Sequence, residues 1–496
     1  MKKAFLWLVL LSVMIISCDS KVNKTIENPV FSAATSLTDG RVSIEKMEFT
    51  DDCTRLCMKW QPGMTDPVFM LDDNYCLTDY YGHSYRLTNR FGAAWKCSVG
   101  MEDFILEFEP MPDTTSVFDL CGTRWECPQI LCIRAKDAAI DVMSFAEMSE
   151  KYQCEIPENW LKTDSIHVKV IMADDYEQST ENQYSVMQHD IFTNENIARR
   201  ESVVDGGFEC SFLAGSAMES YFVSNETFGN IRFFGVPGET TEVHVSKDGV
   251  SYGGSAKQVE RLLKSDLNLD AIGYYYFAAF HGTAPQLVSL MDKILKEMML
   301  RLQLVARRDG FTPLEVQMSL ATIQNSFLKM IPTCLNFNSP FFALEPGMAN
   351  NPTHADSLNY KELISFDTYK ILSQMDFDNP CMIFDNNFNG ILWNVLMNEP
   401  VYGHVYVDFA DDTISGISRN DTIGLSFYYA NKFMQSDSTL LSQCALLSCL
   451  PRVLEVYSAG ADKMDSVSRR CDALLSHPYL KTCAKNIVER RLGQAK

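Results

Sequence analysis

The sequence predicts a multidomain β + α protein: two consecutive β-sandwich-like domains followed by an all-helical domain. Three observations predict it. Between residues 41 and 134, apolar and polar side chains alternate in short runs, as in half-buried antiparallel strands. Residues 165–250 hold a second set of such runs, separated by turn chemistry. From residue 257 onward the apolar spacing changes to three and four, which is helical.

The chain opens with Lys2 and Lys3, followed by the apolar stretch of residues 4–16, AFLWLVLLSVMII. A hydrocarbon core takes about 20 residues to span, so residues 1–17 read as a signal peptide. The stretch ends in Ile15-Ile16-Ser17-Cys18. A small residue before a cysteine at this point resembles a bacterial lipobox. That implies cleavage before Cys18 and lipid attachment to Cys18, with the membrane as a partner through the anchor. The expected location is the cell envelope, on the outer membrane facing the periplasm; the lone acidic residue after Cys18, Asp19, argues against surface export. The alternative is a plain secretory signal with a chance cysteine. Residues 18–39 are polar and unpatterned and read as a tether.

Residues 40–150 read as the first β-sandwich domain. Leu56, Met58 and Trp60 share one face, as do Phe104, Leu106 and Phe108, and Gly82 marks a turn within Asp79–Leu87. By the same alternation Cys53 and Cys57 lie with Arg55 and Lys59 away from the core, as candidates for exposed or cross-strand-bridged cysteines. Residues 160–255 read as the second β-rich domain. Its strand-like pieces include His167–Val170 and Val243–Val245, with turns at Asp205-Gly206-Gly207-Phe208 and Pro237-Gly238-Glu239.

Residues 256–496 read as the helical domain. Leu287, Leu290, Ile294, Met298, Leu302 and Val305 form one stripe that Gly310 stops. Thr312-Pro313-Leu314-Glu315 is a capping box with proline at the first helical position. Val316, Leu320, Ile323, Phe327 and Met330 continue behind it. Further helices fit 357–376, 438–456 and 478–492, and a strand-like piece interrupts at Val401–Phe409.

The formal net charge of −21 makes nucleic acid a poor partner for the body of the protein. Of the 16 cysteines no two stand as C-x-x-C, so neither a thioredoxin-type redox pair nor the usual short zinc spacing is present. With Cys18 lipidated the remainder is odd in number, and export makes some disulfides expected; buried small hydrophobes or structural bridges are the reading for most of them.

Arg41–Asp52 (RVSIEKMEFTDD), Asp79–Leu87 and Phe104–Leu120 resemble the N-terminal sandwich of a family of Bacteroidetes envelope lipoproteins. That family's chains end in a TlpA-type thioredoxin-like disulfide-reductase domain. Asp205–Phe208 and Val236–Val243 resemble its second β-unit, and the helical region to His477-Pro478-Tyr479-Leu480 resembles the segment before the thioredoxin domain. The resembling motifs are structural. Lys496 follows the last predicted helix, and a thioredoxin domain would take about 100 further residues. No catalytic residue is therefore carried over.

The expected function is a non-catalytic envelope lipoprotein, an interaction or scaffold module with a thioredoxin-fold protein as candidate partner. The alternatives are the front part of a split disulfide reductase and a stand-alone glycan- or peptide-binding lipoprotein. Other motifs are weak. Asp266-x-Asn268-x-Asp270 begins like a calcium loop, but Ala271 replaces the turn glycine and Phe277 the bidentate glutamate, so a polar helix start is the reading. His404, Tyr406 and Asp408 would share a strand face, either a solvated one or a general-base pair without a nucleophile motif. Cys444 and Cys449 are five apart on a helix and point apart. The aromatics Tyr274–Phe277 could form a sugar platform or core. No metal site, catalytic residue or cofactor is expected.

Overall fold

The computed structural model describes residues 22–37, 40–71, 73–92, 102–122, 127–173, 183–189, 196–204, 206–224, 230–277, 280–338, 359, 361–385, 388, 390–392, 413–418, 421–435, 438–456 and 461–494. Large β-sheets occupy the N-terminal and middle parts and helices the C-terminal part, as the patterning predicts. The chain divides into two units, the first ending at Asp141 and the second beginning at Val142.

The strands of the first unit are β1 Val22–Glu27, β2 Ala33–Ala34, β3 Arg41–Thr50, β4 Thr54–Gln61, β5 Cys76–Asp79, β6 Ser84–Gly92, β7 Glu102–Phe108, β8 Val117–Cys121 and β9 Ile130–Arg134. They form one nine-stranded sheet in the order β1-β3-β4-β7-β6-β5-β8-β9-β2. The continuity comes from β6, which pairs with β5 through Ser84–Arg86 and with β7 through Leu87–Gly92. Alternation fixes which face is inside: Leu56, Met58 and Trp60 are buried, as are Phe104, Leu106 and Phe108. Trp60 and Phe104 each pack against Phe69, both with centroids 5.3 Å apart. Gly40 is required here, because a Cβ at this position would overlap the Trp60 indole.

The segment read as a tether is part of this fold. β1 pairs antiparallel with β3 from Val22↔Thr50 to Glu27↔Lys46, and β2 pairs with β9. An edge strand is held mainly by its ladder hydrogen bonds, so it leaves little apolar pattern; in β1 only Ile26 is buried.

In the second unit the short helix α1, Phe145–Lys151, starts with a Ser144/Glu147 capping box. Its strands are β10 Asp164–Met172, β11 Gln183–His189, β12 Asn196–Ser202, β13 Gly207–Ala214, β14 Met218–Ser224, β15 Asn230–Gly235, β16 Thr240–Ser246 and β17 Gly249–Gly254. They make two four-stranded sheets, β13-β10-β16-β17 and β12-β11-β14-β15. All pairs are antiparallel except β10 with β16. The sheets meet through aromatic rings: Phe208 of β13 lies 5.5 Å from Tyr184 of β11 and 5.8 Å from Phe222 of β14.

The helices are α2 Glu260–Lys264, α3 Leu269–Phe277, α4 Ala284–Asp309, α5 Pro313–Asn338, then α6 Thr422–Phe433, α7 Leu440–Val456, α8 Ala461–Leu474 and α9 Pro478–Gln494. The predicted stripe of α4 is buried apart from Leu290, which is half-exposed, and Gly310 caps the helix at φ 67° in the left-handed region. Two 3₁₀ segments, Phe366–Gln374 and Pro380–Phe384, and a small hairpin at β18 Thr413–Ile414 and β19 Ile417–Ser418 separate the helices. Within 357–376 the described turns are thus largely 3₁₀, and Val401–Phe409 lies outside the described residues.

The helical part is not a separate unit from the middle β-part. An aromatic seam joins them: Trp160 lies 4.9 Å from Phe234 of β15 and 5.3 Å from Phe384 of the second 3₁₀ segment. Tyr479 of α9 donates to the Gly215 carbonyl at 2.7 Å, and Gln317 of α5 donates to the Ser149 and Tyr152 carbonyls at 2.9 and 3.1 Å. Sequence periodicity reports the type of each element, whereas these long-range contacts leave no periodic trace.

Candidate functional site

Cys18, the sequence-assigned lipid site, and the His404–Tyr406–Asp408 face lie outside the described residues. The Asp266–Asp270 segment is a helix start. Asp266 accepts from Arg308 and pairs with Arg301, while Asp270 accepts from Ser326 and pairs with Lys329 at 3.7 Å. Burial alone would raise the Asp266 pKa; Arg301 and Arg308 overcome it and hold the carboxyl below its usual value. The two aspartates are thus engaged by different cations.

The Tyr274–Phe277 run divides between surface and core. Phe277 is buried, 6.0 Å from Phe327, whereas Lys329 Nζ sits 5.5 Å from the Tyr274 ring centre and Lys293 Nζ 4.5 Å from that of Tyr276. Those ring faces, which a sugar would stack on, each hold a lysine.

Cys57 is half-buried on the face opposite Leu56, as alternation requires. Burial raises the pKa of Cys57, Cys154, Cys381 and Cys444, and pushes that of Cys471 up to about 11. These thiols stay protonated near neutral pH, the opposite of a redox thiolate. Cys444 is buried in α7; the side chain of Cys449 lies outside the described residues.

Two histidine–carboxylate pairs escaped the sequence reading: His244 Nε2 lies 3.6 Å from Glu242 Oε2 on the exposed side of β16, and the closer pair is Asp79–His83. In the β5–β6 turn, buried Asp79 accepts from Tyr81 N at 2.8 Å and His83 N at 2.9 Å, while its second oxygen lies 3.0 Å from His83 Nδ1 and 3.2 Å from the Tyr85 hydroxyl. Burial opposes ionisation, but these donors outweigh it and keep the Asp79 pKa below its ordinary value. The motif is an aspartate-capped turn with Gly82 at φ 89°. Its local signal was the Asp79-x-x-x-His83 spacing across that glycine. The pair orients an exposed imidazole, yet among the described residues no serine or cysteine is bonded to it, so the geometry supports turn stability.

An open cleft of about 420 Å³ lies in the middle β-part, where β12 turns into β13. Lys169, Glu201 and Glu209 supply its charges, and Val170, Val204 and Phe208 its apolar wall. Lys169 Nζ lies 3.6 Å from Glu209 Oε1. The turn is tightened by paired backbone bonds between Val204 and Gly207, and a Cβ on Gly207 would strike the Val170 carbonyl. The volume suits a small ligand, and mixed charges beside an apolar wall suit one with both polar and apolar parts. The sequence reading marked the turn but not the cleft, because Lys169 and Glu201 come from strands of different sheets. Against this fold and these sites, no family model, no curated protein and no solved structure matches the chain.

Among the described residues several buried side-chain polar atoms have no hydrogen-bond partner, and Gln324 contributes two of them. Gln324 of α5 is fully buried and neither its Nε2 nor its Oε1 has a hydrogen-bond partner. Desolvating such a group costs about 1–3 kcal/mol. Gln324→Met, close in volume, is expected to stabilise the protein by about 1 kcal/mol in urea titrations. A loss of stability would show that the carboxamide holds a bound polar group.

Proposed function

We propose that this is a lipid-anchored envelope protein that acts by binding rather than by catalysis, an interaction or scaffold module with a thioredoxin-fold protein as candidate partner. The observation that carries it is the N-terminal pattern: Lys2-Lys3, the apolar residues 4–16, and Ser17-Cys18. The resemblance of Arg41–Asp52 and Asp205–Phe208 to envelope lipoproteins supports the context, and the absence of any C-x-x-C from the sequence separates this chain from the reductases of that family.

The early start of the fold sharpens this reading. β1 begins at Val22, four residues past Cys18. Four extended residues reach about 14 Å at most. A lipid on Cys18 would therefore hold the edge strand β1 close to the headgroups, with no long tether.

Cys18→Ser is expected to move the protein from the membrane pellet to the soluble envelope fraction, read by fractionation and immunoblotting. Retention in the pellet would contradict the anchor. Affinity purification of the wild type from crosslinked envelopes is expected to recover a thioredoxin-fold protein; recovery without one contradicts the partner. The cleft favours a second reading, a ligand-binding lipoprotein for a glycan or peptide. Thermal-shift screening separates the two, since only a cleft ligand would lose its effect in Lys169→Ala.

A further inference from the structure

We infer that Cys76 and Cys121 form a redox modification site: a thiol pair placed to close a reversible cross-strand disulfide over the seam between β5 and β8. The two residues are direct partners in the antiparallel β5–β8 register. Among the described strand registers this is the one place where two cysteines stand opposite each other.

The hydrogen-bond phase sets their separation. Asp79 N donates to His83 O, and Leu87 N donates to Tyr75 O, so the odd-numbered residues of this stretch turn their backbone groups toward β6. By alternation Cys76 turns its groups toward β8. Cys76 and Cys121 are therefore a hydrogen-bonded pair, with Cα atoms about 5.5 Å apart. Disulfides span Cα separations of about 4.4–6.8 Å and Cβ separations of about 3.5–4.5 Å, so closing the bond draws the two Cβ atoms together from the wider spacing of a hydrogen-bonded pair. Direct partners project to the same face. Both side chains are half-buried there, while Leu77 and Leu120 fill the opposite face. The Cys76 thiol sits 3.6 Å from Thr78 Oγ1 on the same strand, a weak contact.

The position gives the bond a consequence. β5 joins β6 to β8, and so joins the two halves of the nine-stranded sheet through the four residue pairs from Cys76↔Cys121 to Asp79↔Phe118. At the Asp79 end the seam is held by the Tyr80 hydroxyl donating to Asp119 at 2.8 Å. A disulfide would hold the other end covalently and close the chain over residues 76–121.

The chemistry is thiol–disulfide exchange with a small-molecule or protein disulfide as oxidant. One cysteine thiolate attacks a sulfur of the reagent, whose S–S bond breaks and releases one thiolate. The second cysteine thiolate attacks the protein sulfur of the mixed disulfide, forming the Cys76–Cys121 bond and releasing the second thiolate. The cysteines lose two electrons in all. The reagent gains them and takes up the two protons.

The test uses the purified protein and oxidised glutathione, followed by alkylation, non-reducing proteolysis and mass spectrometry. The expected result is a peptide pair linked through Cys76 and Cys121 that dithiothreitol separates, with a melting temperature raised by about 5 °C over the reduced form. Cys76→Ser and Cys121→Ser are expected to lose both signals while melting like the reduced wild type. Three results would each overturn the proposal: both cysteines alkylated after oxidation, a stable glutathione adduct without the link, or either cysteine joined to a different one. The wild-type mass measurement decides even if a serine variant fails to fold.

Discussion

Arg301→Met is expected to destabilise the Val142–Lys496 unit by about 4 kcal/mol, the range for breaking one partner of a buried ionic network. Arg301 sits on the apolar stripe of α4 between Leu300 and Leu302 and is fully buried. Its guanidinium donates to the Leu267 carbonyl at 3.1 Å and the Asp266 carbonyl at 2.6 Å, and lies 3.5 Å from the Asp266 carboxylate. It thereby ties the chain entering α3 to the middle of α4. Methionine replaces the stem but leaves two carbonyls without their donor. Arg308 still covers the Asp266 carboxylate, which keeps the loss near the middle of the range. Urea unfolding followed by circular dichroism would show a lower midpoint at unchanged slope. A loss below about 1 kcal/mol would mean that water replaces the guanidinium.

Glu315→Ala is expected to cost about 3 kcal/mol in the same measurement. The capping box is only half of this residue's work. One carboxylate oxygen accepts from Thr312 N at 2.8 Å and the Thr312 hydroxyl at 3.0 Å, closing the start of α5. The other accepts from Arg261 N at 2.9 Å and Leu262 N at 3.2 Å. Those amides belong to the first turn of α2, whose own N-cap position is Val259, with no side chain able to cap. Glu315 is 1% exposed, so the four donors it leaves behind would have no water to replace it. Glu315→Gln is expected to recover only part of the loss, because its amide group faces donors with a donor. A loss of only a few tenths of a kcal/mol, as at an exposed cap, would contradict the double role.

These two residues show what the sequence made legible. The Thr312–Glu315 box, the α4 stripe and the alternation of β4 and β7 are local patterns, and each names its element and its buried face. The second duty of Glu315 depends on α2 arriving some fifty residues earlier in the chain, and no spacing rule reports that. Arg301 reads as a polar interruption in a stripe until Asp266 is brought to it. β1 was missed because an edge strand needs partners more than pattern. The cleft of Lys169 and Glu201 and the Cys76–Cys121 pair were missed for one reason: both depend on which strands become neighbours. The N-terminal reading at Cys18 rests on a processing signal, which is read linearly and needs no fold.

The decisive measurement for the proposed lipid anchor at Cys18 is mass spectrometry of the N-terminal peptide of the protein extracted from membranes. The predicted result is a mature chain that begins at Cys18 and carries the mass of a diacylglyceryl group. A mature N-terminus at any other residue, or an unmodified thiol at Cys18, would contradict it.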